Sequence, residues 1–474
     1  MSNDRPSRSL LRRLWRHTWR GASGIIAAGV IVLAALSFDE DLLDTRELRL
    51  EPRQLSEAEN AWPILAQAAE SLGTIHDAEA ARWSALVRGD DWDDEEADAI
   101  LDGHANAVTA IRGLRDFTFA QAPVARDAGS AYALHPKFHL PSLLALVEAR
   151  RLQRQGEPLA ATRLLQDCLH ATRLMEEARG DLLFFHYAQW MRSDVLAAAA
   201  ALVSEPRVSS EDCRTLLREF SRSRPSRDGF FQTFAAAYQS EALIVDALRH
   251  PEKMPADWQV KSTTYLAYRV PFLFKPNQTL NYSIPYLLTL REAVDLSIPE
   301  RKKTLPPNAD LLGFLCDRYD DLINRMGKRF AHDGGLPSVS PLLDKRLRQQ
   351  TEISLAETLI ALRLYHDGHG RRLPASLDEL VPAYLPSIPR DYFDGGAIKY
   401  SRALRAVWSA GPEGKFQLVD ADQAIHEREL ILPLCFDGTY APWPRRDPDR
   451  STLFGAPDNE SGGPSESPPP KENH

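Results

Sequence analysis

The side chains able to do chemistry are few and far apart. Glu241 interrupts residues 230–248 (FFQTFAAAYQSEALIVDAL), a helical stretch that is apolar on most sides. A carboxylate is expensive to bury there alone, so it reads as the partner of one of the many arginines or as an acid whose pKa burial has raised. His366 and His369 lie at a helix end punctuated by Gly368 and Gly370, where a cationic imidazole suits the helix C-terminus. Zinc there needs a third ligand, and none is marked nearby. His135 and His139 straddle Pro136 and cannot share one helical face, and His332-Asp333-Gly334-Gly335 reads as a turn. Cys168, Cys213, Cys316 and Cys435 are isolated, and three of them fall in apolar helical patterns as small core residues. Neither a disulfide framework nor a Cys/His cluster is expected. The acidic run 90–96 lacks the alternating ligands and central glycine of a calcium loop and reads as a helix start. The sequence contains no nucleophile elbow, HExxH, phosphate loop or dinucleotide fingerprint.

These residues are positioned by a chain of 474 residues with a net charge of −9, 43% hydrophobic and 26% charged. That composition is globular and excludes whole-chain disorder and a multi-span transporter. The first twenty residues carry six arginines against Asp4, and the remainder is strongly acidic, so a nucleic-acid partner is not expected. Residues 21–38 (GASGIIAAGVIVLAALSF) hold no charge and rise about 27 Å as a helix, close to the ~30 Å of a hydrocarbon core. Arginines precede this stretch and Asp39, Glu40, Asp41 and Asp44 follow it. Arginine resists translocation, which predicts a transmembrane anchor at 21–38 with residues 1–20 cytoplasmic and the bulk in the periplasm of a bacterial inner membrane. A cleaved signal peptide is the rival, on the small residues Ala35 and Ser37.

Residues 39–340 read as a helical domain. Ser56-x-x-Glu59 and Ser209-x-x-Asp212 have capping spacing. Ala161, Leu164, Leu165, Cys168, Thr172 and Met175 share a helical face, and Gly156 and Gly180 separate helices at 142–154, 161–175 and 182–203. Short breaks of this kind predict antiparallel hairpins in a bundle or irregular solenoid. Pro271, Pro276 and Pro285 deny a continuous helix at 265–285, which reads as an ordered connection. Asn277 and Asn281 head glycosylation triplets that matter only in a eukaryotic secretory route, for which the sequence gives no support.

Residues 341–440 read as an α+β module: a helix at 342–365, a short helix at 377–384 capped by Ser376, and strands near 397–402, 405–409, 416–419 and 429–433. The order of RRLPASLDELVPAYLPSIPRDYFDGGAIKYS and WSAGPEG after that helix resembles the C-terminal part of type II secretion pseudopilins and related bacterial envelope proteins, over about 350–420. The resemblance implies a small sheet packed on a long helix. It also implies a calcium site, for which Asp391, Asp394, Asp420 and Asp422 are the candidates, against their reading as turn-forming residues. Glu413 stands where the family has an aspartate, and Ala22-Ser23-Gly24-Ile25-Ile26 lacks the family's cleavage context, so pilus assembly is not carried over. Residues 441–474, rich in Pro, Ser and Gly, read as a disordered tail.

The sequence thus predicts a mainly α protein with a membrane anchor at 21–38, acting as a non-catalytic interaction or scaffold component with an envelope protein partner and no resident cofactor. The alternative is a periplasmic hydrolase, its site between the helical domain and the C-terminal module, using Glu241, His366 or His369. That reading requires at least two of these groups within hydrogen-bond reach of each other.

Overall fold

The structure, a computed structural model, describes residues 26–89, 92–131, 137–180, 182–224, 226–254, 267–304, 324–328, 339–414, 416 and 430–436. His135, Cys316, His332, Asp420, Asp422 and the tail 441–474 lie outside the described residues. Helix α1 covers 26–36. It is followed by α2 (Trp62–Glu70), α3 (Asp77–Arg88), α4 (Asp94–Gly103), α5 (Ala105–Gly113), α6 (Ala128–Ala131), α7 (Leu140–Arg154), α8 (Pro158–Glu176), α9 (Leu182–Ser204) and α10 (Ser210–Arg222). Beyond these come α11 (Arg227–Arg249), α12 (Pro276–Ala293), α13 (Ile298–Thr304) and α14 (Val339–Gly368). Three strands, β1 (Lys399–Ser401), β2 (Ala406–Trp408) and β3 (Ile431–Pro433), form one antiparallel sheet in the order β1-β2-β3.

The expected anchor is corrected here. Among the described residues no helix is long and apolar enough to cross a membrane. The described part of α1, residues 26–36, rises about 16 Å before turning at Ser37, where the amides of Ser37 and Phe38 bond back to Leu33 and Ala35. Residues 21–25 of the expected span lie outside the described residues. The transmembrane topology, and with it the inner-membrane and periplasmic placement, is therefore not supported. The acids read as a topological flank have a different use. The Asp39 carboxylate accepts the backbone N–H groups of Asn277 (2.9 Å) and Gln278 (3.2 Å), capping the start of α12. The Asn281 amide donates to Glu40 and accepts from the Leu43 N–H, so this Asn is a buried clasp rather than an exposed acceptor for modification.

Local signals explain most helix starts. Ser209 and Asp212 form a reciprocal capping box on α10, Asp93 accepts the Glu96 N–H at α4, and Ser226 accepts the Gly229 N–H at α11. Ser56 and Glu59 make the expected box, but it closes a single 3₁₀ turn ahead of α2. Ser376 likewise precedes only the 3₁₀ turn Leu377–Leu380 in place of a helix reaching residue 384. The proline-rich connection is also corrected: Pro276 opens α12, where a missing N–H costs nothing, and Pro285 lies inside it. Burial of Leu280, Ile284, Leu287 and Leu290 against α11 outweighs the roughly 3 kcal/mol of an interior proline. Of the expected strands, Phe416 falls outside the sheet and 417–419 outside the described residues.

Helix α8 packs between α7 and α9, the alanine run 197–201 allowing close approach, while α10 and α9 pack on α14. One continuous core joins Trp83, Leu144, Leu165, Leu196, Phe220 and Leu359 to Val407 and Leu432 of the sheet. A second joins α11 and α12 through Phe234, Ile244, Leu280 and Leu287. Helix α14 buries polar side chains along its length, among them Arg346, Gln349, Glu352, Glu357 and Arg363. Their partners come from neighbouring helix ends: Arg346 pairs with Asp295 at 3.0 Å, Glu357 with Arg224, and Arg363 donates to the Val203 carbonyl at 2.6 Å. Arg192, fully buried on α9, pairs with Glu176 of α8 and donates to the Ser223 carbonyl at the end of α10.

Removing one member of that last pair leaves the other charge buried without its partner, so Arg192→Met is expected to lose about 3–5 kcal/mol in denaturant unfolding. The double variant Arg192→Met/Glu176→Met loses distinctly less. A single variant within about 1 kcal/mol of the parent would show that the pair does not hold these helices.

Candidate functional site

Glu241 lies on α11, 3% exposed, in the second core. Among the described residues no arginine pairs with it. One carboxyl oxygen accepts the Ser283 hydroxyl of α12 at 2.8 Å, and the other has no hydrogen-bond partner among the described residues. Burial raises its pKa to about 7, with Ser283 opposing the shift. Tyr238, one turn earlier, is pushed up to about 12 by burial and by the nearby Glu241 carboxylate. The ion pair expected from the sequence is thus replaced by a neutral hydroxyl, and the carboxyl holds its proton near neutrality.

The two histidines sit elsewhere. His366 packs on Phe436 in the first core, with Nδ1 3.4 Å from Asp367. His369 is exposed and stacked on Tyr365 at 3.9 Å, its Nδ1 bonded to the Tyr365 carbonyl at 2.9 Å. Leu343, near the start of α14, belongs to the second core, whereas His366 lies about 35 Å of helix rise further along. No hydrogen bond among the described residues joins any two of Glu241, His366 and His369. His139, buried beside Tyr187 and Trp190, stacks on the tyrosine at 5.5 Å.

The acids of the C-terminal module pin turns. Asp391 is fully buried, accepting the Ser409 hydroxyl (2.9 and 3.0 Å) and the backbone N–H groups of Ala410 (2.6 Å) and Phe393 (3.1 Å). Burial raises its pKa, against those donors. Asp394 accepts the Gly396 N–H at 2.7 Å and Lys399 Nζ at 2.9 Å. These oxygens face protein donors, and among the described residues no group of three or more His, Cys, Asp or Glu side chains is placed to hold a metal ion. Cys168 and Cys213 are buried thiols, the second pushed up to about 12 by burial.

A concave site that the sequence did not mark opens where the C-terminal ends of α7 and α9 meet α4. The cavity is about 540 Å³ and is walled by Asp94 and Asp98 from α4, Arg150 and Arg154 from α7, and Glu205 and Arg207 after α9. Gln153 forms a buried bridge beneath it, accepting from Arg150 at 2.7 Å and donating to the Ala201 carbonyl at 3.2 Å. Gly89 and Gly156 adopt left-handed conformations at helix ends, and each carries a guanidinium 2.7 Å from where a β-carbon would stand: Arg150 over Gly89, Arg207 over Gly156. Glycine suits both positions because their left-handed backbone angles strain other residues, and a β-carbon there would displace the guanidinium. Nothing in the periodicity marks this cavity, because its residues come from three helix ends far apart in the chain.

Comparison of the chain with family models, with curated proteins and with solved structures returns no match.

Glu241 gives a pH signature with a definite sign. Its folded-state pKa, about 7, exceeds the ordinary 4.5, so its contribution is undiminished below pH 4.5 and is lost as pH rises toward 7, when only the unfolded chain readily ionises. Denaturant unfolding at pH 5 and pH 8 is expected to show the parent losing about 2–3 kcal/mol more than Glu241→Gln over that interval. Identical pH dependence of the two proteins would mean that Glu241 is not buried as described.

Proposed function

We propose that the chain is a non-catalytic interaction protein, a helical scaffold whose long C-terminal helix and small sheet share one core with the helical body. The observation that carries this reading is the separate structural commitment of each group suited to acid–base chemistry. Glu241 is sealed between two helices, His366 packs on Phe436, His369 stacks on Tyr365, and Asp391 is saturated with donors. General acid–base catalysis needs such groups to converge within hydrogen-bond reach of one reacting atom, and these are dispersed over two cores. The buried ion pairs along α14 support the same reading, since they fix helix positions and so present a constant surface to a partner.

The test is a turnover screen with chromogenic esters, phosphomonoesters, aryl glycosides and a protein substrate. It compares the full chain with the variants Glu241→Gln, His366→Asn and His369→Asn. The expected outcome is no turnover that any of the three substitutions alters. A rate that falls about a hundredfold or more in one of them identifies a general acid or base and overturns the scaffold reading.

A further inference from the structure

We propose that the cleft between α4, α7 and α9 is a binding site for a neutral, polyhydroxylated ligand, a saccharide of one to three rings. The inference stands on the cavity alone and is independent of the scaffold reading. Its volume, about 540 Å³, falls within the range of small-ligand sites. Its lining identifies the chemistry. Three guanidinium groups, from Arg150, Arg154 and Arg207, are matched by three carboxylates, from Asp94, Asp98 and Glu205, so the described wall has no net charge with which to select an ion. Ala201 is the single apolar residue among the described lining, and an apolar ligand would bury charged groups without replacing their hydrogen bonds.

What remains is a wall of planar donors beside planar acceptors. A ligand hydroxyl both donates and accepts, and it is satisfied by a carboxylate and a guanidinium side by side. The pairs leave capacity for this. Arg154 meets Asp94 only at 3.8 Å, and its guanidinium is held over the Trp92 ring at 5.4 Å. Asp98 uses one oxygen for Arg151 at 2.8 Å. Gln153 fixes the floor by tying α7 to α9 and accepts from Arg150 at 2.7 Å, while Arg207 meets Glu205 at 3.0 Å.

The experiment is calorimetric titration of the full chain with maltose, cellobiose and N,N′-diacetylchitobiose at about 50 and about 500 mM NaCl, since salt weakens ion binding and spares neutral ligands. Inorganic phosphate and spermidine serve as charged probes. The variants are Asp98→Asn and Arg154→Gln, with helicity checked by circular dichroism. Both leave the fold intact, because Arg151 keeps Glu148 at 2.8 Å and Asp94 is largely exposed. The expected result is binding of at least one disaccharide, nearly independent of salt and weakened about tenfold or more by each substitution. Three results overturn the proposal: a charged probe that binds with steep salt dependence while no saccharide does, saccharide binding unchanged in both variants, or no binding by any probe.

Discussion

Helix ends in this protein are held by arginine. Each helix leaves its last carbonyls without backbone partners, and at three ends here guanidinium groups from elsewhere in the chain supply donors. Arg192 reaches the Ser223 carbonyl at the end of α10, and Arg363 reaches Val203 and Glu205 at the end of α9. Arg53 reaches Glu177 just beyond α8. The device suits arginine for two reasons. Its charge complements the negative end of the helix dipole, and its five donors serve several carbonyls at once. It also constrains the sequence elsewhere, because a buried guanidinium needs a carboxylate as well as carbonyls. Glu176 meets that need for Arg192, Asp295 for Arg346 and Asp367 for Arg363. The polar face of α14 is the result: a helix that buries charge in order to tie down the ends of its neighbours.

Against that background Glu241 is the exception. Glu176, Glu352 and Glu357 each have an arginine and Asp391 is met by a hydroxyl and two backbone N–H groups, whereas Glu241 has one serine hydroxyl and an apolar surround. Burial raises the pKa of Glu176 as well, but Arg192 opposes the shift there, and nothing comparable opposes it at Glu241. The contact between α11 and α12 therefore depends on a proton, while the contacts around α14 depend on paired charge.

The parts of this architecture that were legible in the sequence are those set by neighbours within one or two turns. Ser209 and Asp212 marked the start of α10, and residues 161–175 marked the buried face of α8, because capping and amphipathic burial act over three or four residues. Readings that required a distant partner went otherwise. The prolines of α12 looked prohibitive because the packing that offsets Pro285 comes from α11. Asp39 and Glu40 were read for their charge beside an apolar run, whereas their structural use is to cap and clasp α12, more than two hundred residues away. Glu241 reads as costly from the sequence alone, since an acid among apolar residues is a local fact. The identity of its partner was not local, and the expected arginine proved to be Ser283.

The cleft follows from the arginine device carried to the surface. Arg150 and Arg207 sit over Gly89 and Gly156 as other arginines sit at buried helix ends, but the ends of α7 and α9 meet solvent on one side. A guanidinium buried at a helix end is saturated by carbonyls and carboxylate together and has nothing left to offer. Those at the open ends stay partly exposed, Arg154 meeting Asp94 at 3.8 Å and Arg207 meeting Glu205 at 3.0 Å, and water competes for both partners and weakens the attraction. That exposure is what separates a binding wall from a structural joint: Arg154 lies over the Trp92 ring and Arg207 against Glu205, yet both remain able to exchange water for the hydroxyls of a ligand. The same residue type thus closes the interior of the protein and, one layer out, leaves hydrogen-bonding capacity at its surface.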